Sequence, residues 1–140
     1  MTETKNPPMP LPIPDLDSMP FWTGCREGVL LIQRCSSCGH YRYPPRPICP
    51  RCRTLGGEWV KASGRGTVYS WVVPHHPVHP AVVDKVPYIV ALVQLEEGPR
   101  MVTNLVEMAP EEVRDGMLVE VLFEPLTDTI TLPKFRRANR

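Results

Sequence analysis

Four cysteines constrain this chain more than any other feature. Cys35, Cys38, Cys49 and Cys52 lie in RCSSCGHYRYPPRPICPRC as two C-x-x-C pairs with ten residues between them. Each pair makes a tight knuckle that aims two sulfurs at one point, and the intervening arm is long enough to bring the two points together. Four converging thiolates suit tetrahedral Zn²⁺ before iron. Two disulfides or free buried thiols are the alternatives, but the paired spacing, with Gly39 just after the first knuckle, favours a metal. Four protein ligands leave no open position for substrate or an activated water, so the expected cofactor is structural zinc. Thiolate ligation requires a reducing compartment, and the expected location is the cytoplasm.

The chain has 140 residues, 42% of them hydrophobic, which is room for one ordinary domain or two small ones. MTETKNPPMPLPIPDLD does not read as a signal peptide. Tyr88 to Val93, the longest apolar run, is too short to cross a bilayer, so no membrane partner is expected. Net charge is +1, unevenly spread: −2 over residues 1–25, +6 over 26–65, −7 over 66–133 and +4 over the last seven residues. The cysteine segment is therefore basic and the stretch after it acidic.

Residues 1–17 form a proline-rich arm in which Pro7, Pro8, Pro10, Pro12 and Pro14 exclude helix and sheet and impose an extended path. It reads as a mobile tail or as an arm laid along a partner, with Met9, Leu11 and Ile13 between the prolines. Ser18 is the expected N-cap of a short helix with Pro20 in its first turn and Gly28 at its end. Phe21, Trp22 and Cys25 share a face of that helix, and Cys25 reads as a small buried apolar residue because nothing basic is placed to activate it. Val29–Arg34 and Glu58–Ser63 read as the strands of a ribbon, so residues 18–63 form the expected helix-plus-zinc-ribbon module. His40 is expected at the surface, since four sulfurs already complete the metal shell.

From residue 64 to 137 the pattern is all-β. GTVYSWVV, VPYIVALVQL, RMVTNLV, LVEVLF and TITLPKF are five runs rich in β-branched and aromatic residues. APEEVRDGM, between the third and fourth, predicts a short helical turn capped by Gly116, which is the order of an OB-fold barrel. The fold class expected is thus mainly β: a short N-terminal helix, a rubredoxin-like zinc ribbon, then a five-stranded OB-fold barrel with a basic C-terminal tail. His75, His76 and His79 fall in a proline-punctuated loop with no carboxylate or cysteine close in sequence, which reads as a solvated loop. The motifs of serine hydrolases, zinc proteases, P-loops and dinucleotide folds are missing, so residues alone point to a binding or scaffolding protein.

The chain also resembles a known family, a rubredoxin-like zinc ribbon joined to an OB-fold and called domain of unknown function thirty-five. The resemblance runs from about Phe21 to Arg137 through FWTGCREGVLLIQRCSSCG, YPPRPICPRC, SGRGTVYSW, VPYIVALVQLEEGPRMVTNLV, DGMLVEVLFE and LPKFRRA. It implies a non-catalytic accessory subunit of a thiolase-superfamily enzyme, a thiolase, a lipid-transfer-protein-like aldolase or an acyl-CoA synthase. The barrel is implied to help bind or channel acyl-CoA. On that reading Phe21 and Trp22 dock the enzyme, while Arg65, Lys134, Arg136 and Arg137 hold the CoA phosphates. The proline-rich lead-in departs from the family's usual helical start. A free-standing acyl-CoA carrier is the alternative. A nucleic-acid-binding OB-fold is disfavoured by the acidic barrel, which holds only one tryptophan, Trp71.

Overall fold

A computed structural model describes residues 9–138 of the chain. The ribbon is a three-stranded antiparallel sheet of β1 (Leu31–Arg34), β2 (Tyr41–Arg42) and β3 (Glu58–Lys61), in the order β2-β1-β3. The barrel is closed from β4 (Arg65–Val72), β5 (Ile89–Leu95), β6 (Arg100–Leu105), β7 (Leu118–Pro125) and β8 (Thr131–Arg137), in the order β4-β5-β6-β8-β7. Every pairing is antiparallel except β6 with β8, where Leu105 meets Phe135 in parallel. That order is the OB-fold.

Alternation explains why these runs close into a barrel. In β5, Ile89, Ala91, Val93 and Leu95 are all buried, while the residues between them are half-exposed. Met101, Leu105, Val119 and Phe135 bring the same inward pattern from the neighbouring strands. β4 slips register between Val68 and Ser70, a bulge at Tyr69 that tightens the strand's curl. Gly66 allows the close pass of β4 over β5: a Cβ there would stand 2.5 Å from the Gln94 carbonyl oxygen.

Helix α1 (Met19–Arg26) packs on β8, β7 and β1 and joins ribbon to barrel in one core. Phe21 and Cys25 are at 2% and 0% exposure, in the same cluster as Leu30, Ile32 and the barrel interior. Its end is a Schellman motif, with the Gly28 amide on the Cys25 carbonyl, the Val29 amide on that of Gly24, and Gly28 at φ +77°. The start differs from expectation. Ser18 makes no side-chain cap. Instead Asp15 Oδ1 accepts from the Ser18 amide at 2.8 Å, and Ser18 Oγ accepts from the Asp15 amide at 3.1 Å. This reciprocal lock starts the turn one step earlier than the hydroxyl alone suggests.

Two further differences bear on the site. The turn between β6 and β7 is a single 3-10 turn, Pro110–Glu112, ended at Val113, and Gly116 instead shapes the following turn at φ +76°. The expected basic tail is strand: β8 runs on to Arg137, so Lys134, Arg136 and Arg137 are ladder residues. None of the described helices is long and apolar enough to cross a membrane.

Candidate metal centre and the barrel faces around it

The two knuckles are built alike. In the first, the Gly39 amide bonds the Cys35 carbonyl, and the Cys35 amide bonds that of His40. In the second, the Arg53 amide bonds the Cys49 carbonyl, and the Cys49 amide bonds that of Thr54. Gly39 and Arg53 occupy the same left-handed position, at φ 74° and 63°, so the second knuckle carries the strain that glycine spares the first. Ser37 and Cys38 direct amides at Cys35 Sγ, at 3.4 and 3.5 Å. At the second knuckle the Thr54 hydroxyl, then its amide, holds the Cys52 thiol down at about 6. Amides of Cys52 and Arg51 lower Cys49 as well.

All four sulfurs lie within 4.8 Å of one another, with Cys35 to Cys52 at 3.5 Å and Cys38 to Cys49 at 3.7 Å. Zinc–sulfur bonds of ~2.3 Å at tetrahedral angles put sulfurs about 3.8 Å apart, so the cage fits the ion. Cys35 and Cys49 are buried and Cys38 and Cys52 exposed, which sets the site at the edge of the ribbon. Bound there, zinc supplies a crosslink between the knuckles. Among the described residues no other group of histidines, cysteines and carboxylates clusters in this way. His75 and His76 are exposed, whereas His79 Nδ1 accepts from the Ala81 amide at 3.0 Å and caps a 3-10 turn. His40 is half-buried and lines a cleft against the barrel.

Cys25 is core, as its spacing suggests. Burial pushes its thiol up to about 12, the reverse of what a nucleophile needs. Phe21 is core too, which corrects its assignment to a docking face. Its ring sits 5.0 Å from Trp22, edge-on, and 5.4 Å from Tyr43, and it has no surface to offer a partner. Trp22 is only partly buried and Met19 is 48% exposed, so the outer face of α1 falls to them.

The four basic residues assigned to CoA separate into two groups. Arg65, Glu120 and Arg136 are successive partners across β4, β7 and β8. Arg136 bonds Glu120 at 3.1 Å and Glu107 at 3.5 Å, and Lys134 bonds Glu124 at 3.1 Å. Arg65 faces Glu96 at 3.6 Å. Arg137 is exposed, pairs with Val119 in the ladder, and lines a cleft of about 320 Å³ with Arg114. A second cleft of about 270 Å³ is lined by Arg65, and the two share Leu118, which is 41% exposed. Arg65 and Arg137 thus flank one end of the barrel, and Arg65, Lys134 and Arg136 are each engaged by a carboxylate. The acidic ladder of β7 could not be placed against β8 from sequence, because strand register sets those pairs.

Fold and cage together define a rubredoxin-like zinc ribbon carried on an OB-fold barrel. Family models match both halves: the ChsH2 rubredoxin-like zinc ribbon domain over residues 22–56, and the ChsH2 C-terminal OB-fold domain over 59–124. The chain is 40% identical over 110 residues to a DUF35 domain-containing scaffold protein of Methanocaldococcus jannaschii, covering 76% of this chain and 77% of that one. It belongs to the ChsH2, or DUF35, family, and its four cysteines are a structural zinc site. It is also 43% identical over 129 residues to a probable enoyl-CoA hydratase alpha subunit of Thermomonospora curvata, covering 92% of this chain and 40% of that protein. The chain therefore spans about two fifths of that relative's length. A solved structure described as an Ltp2-ChsH2(DUF35) aldolase shares 43% identity and a TM-score of 0.83, over 91% of this chain and 99% of that chain.

Proposed function

We propose that this chain is a non-catalytic accessory subunit that docks a thiolase-superfamily enzyme and helps it hold an acyl-CoA. The observation that carries the reading is the 43% identical chain of the Ltp2-ChsH2(DUF35) aldolase, matched along nearly its whole length. The archaeal relatives named as scaffold proteins support the same role. The zinc cage has no open coordination position and Cys25 is a buried neutral thiol, so neither sulfur chemistry is offered to a substrate. Docking falls to the outer face of α1, with Trp22 and Met19, and to the arm before it. CoA phosphates are best met at the barrel end between Arg65 and Arg137, with Leu118 as an apolar contact between the clefts. Arg65, Lys134 and Arg136 contribute there only by exchanging their carboxylate partners for phosphate.

Purifying the tagged chain from its own host and identifying the enzyme that comes with it tests the docking. Calorimetry of an acyl-CoA with that complex then tests the ligand, since Arg65→Glu with Arg137→Glu should weaken binding about tenfold or more. Turnover by the isolated chain, or absence of any thiolase-like enzyme from the purified material, contradicts the reading. A nucleic-acid role finds little support on the outer face of β4, β5 and β6. That face carries Val72, Val90, Leu92 and Val102, and its aromatic, Tyr69, is covered by Arg100 at 3.7 Å.

A further inference from the structure

The segment that leads into α1 carries the barest large apolar side chains among the described residues. Ile13 is 92% and Leu16 91% exposed, with Leu11 and Met19 at 44% and 48%. Single exposed apolar residues are ordinary, but these four fall between positions 11 and 19 and form a strip of the kind that marks an interaction surface. The strip is tied to the helix behind it. The reciprocal Asp15–Ser18 bonds and the Met19 amide on the Asp15 carbonyl at 2.9 Å join it to the first turn of α1.

The backbone of the strip narrows what it fits. Pro10, Pro12 and Pro14 fix their own φ and hold the residue before each of them extended, so Leu11 and Ile13 are kept in the β and polyproline regions. Exposure then alternates with a period of two: Leu11 and Ile13 face outward, while Pro12 and Pro14 are half-buried. That is the period of a strand and not the three-residue turn of polyproline. In a strand the N–H and C=O of one residue point to the same edge, and those of the next residue to the opposite edge. Leu11 and Ile13 therefore line one edge with donors and acceptors, and neither amide donates to another backbone group among the described residues. The opposite edge belongs to the prolines, which have no N–H to give. The segment is a strand that can pair on one side alone. Proline has already fixed much of its backbone, so little freedom is lost when it pairs.

We propose that this segment docks the partner enzyme by strand addition: Leu11 and Ile13 pair with an open sheet edge of the enzyme, and their side chains, with Leu16, cover apolar surface beside that edge. The proposal rests on the docking reading above and specifies its contact. The test mixes the zinc-loaded full chain with the thiolase-superfamily enzyme of its own host and reads hydrogen exchange residue by residue, with calorimetry for the variants. The Leu11 and Ile13 amides should exchange at least about tenfold more slowly in the complex than in the chain alone. Ile13→Ala should weaken the complex. Ile13→Pro, which also removes the N–H but keeps the backbone extended, should weaken it about fivefold further. Both variants change a side chain that is 92% exposed, so the melting temperature of the chain alone should not move. A complex in which Leu11 and Ile13 exchange as they do in the chain alone, or in which Ile13→Pro binds as well as Ile13→Ala, overturns strand addition and leaves docking to α1. Protection of the two amides in a dimer of the chain alone overturns it as well, a second copy then being what takes the edge. Failure of any complex to form overturns the docking reading and the strand addition together.

Discussion

Phe21→Ala separates a core residue from a docking residue by magnitude alone. The ring is 2% exposed, closes the space between α1 and the barrel, and touches both Trp22 and Tyr43. Removing a buried phenyl ring costs ~3–5 kcal/mol through lost burial and the cavity left behind. The two aromatic contacts place the loss toward the upper part of that range. Domains are held by about 5–15 kcal/mol in all, so a third or more of the stability goes with one side chain. Each kcal/mol moves the melting temperature of a chain this long by roughly 3–4 °C, giving a fall of about 12–20 °C by scanning calorimetry. Zinc content should stay unchanged, because none of the four zinc cysteines is in the core cluster that holds this ring. A surface docking residue would behave oppositely, with a melting temperature shifted by no more than about 2 °C and partner binding lost. That second pattern would refute the packing described here.

Cys49→Ser should abolish zinc binding by elemental analysis and melt the ribbon, since structural zinc contributes on the order of 10 kcal/mol in isolated finger peptides; a zinc-free variant with unchanged stability would count against a structural role. Arg53→Gly should stabilise the chain by about 1 kcal/mol in denaturant titration, because Arg53 holds φ 63° where the equivalent first-knuckle residue is Gly39. Cys25 titrates at about 12 rather than the ordinary 9.0. The folded chain thus holds this proton more tightly than the unfolded one, so its contribution is complete below pH 9.0 and is lost as pH rises toward about 12. Alkylation of Cys25 in the native, zinc-loaded protein near pH 8 should accordingly be slow, and become fast only with denaturant.

The cysteine spacing and the β-branched runs carried most of this architecture, because metal geometry and strand alternation are local properties that a linear pattern records. The order of five strands with one short turn before the fourth was enough to expect the OB-fold. What escaped was whatever depends on a distant neighbour. Phe21 and Trp22 are consecutive on α1, about 100° apart around its axis, and the strands packed against the helix, β8, β1 and β7, decide that one is buried while the other reaches solvent. Asp15 outcompetes Ser18 as the cap because each satisfies the other's amide, a reciprocity visible only once the turn is formed. β8 begins two residues later than TITLPKF suggests, since Leu126 and Thr127 turn back on Ile130 and make that segment a loop end. Arg42 looks like an ordinary surface base in YRYPPRPI, and its burial follows from Gln33 and the Gly56 carbonyl reaching it from other parts of the ribbon.

Docking to a thiolase-superfamily enzyme is the role proposed for this chain. Size-exclusion chromatography with light scattering, on the zinc-loaded chain mixed with the thiolase-superfamily enzyme from its own host, measures this most directly. A single complex whose mass is the sum of both subunits in fixed ratio is the predicted result, and exchanging Trp22 and Met19 for polar residues should break it apart while each protein stays folded. Two separate peaks at the masses of the free proteins, with zinc bound and both proteins folded, would contradict it.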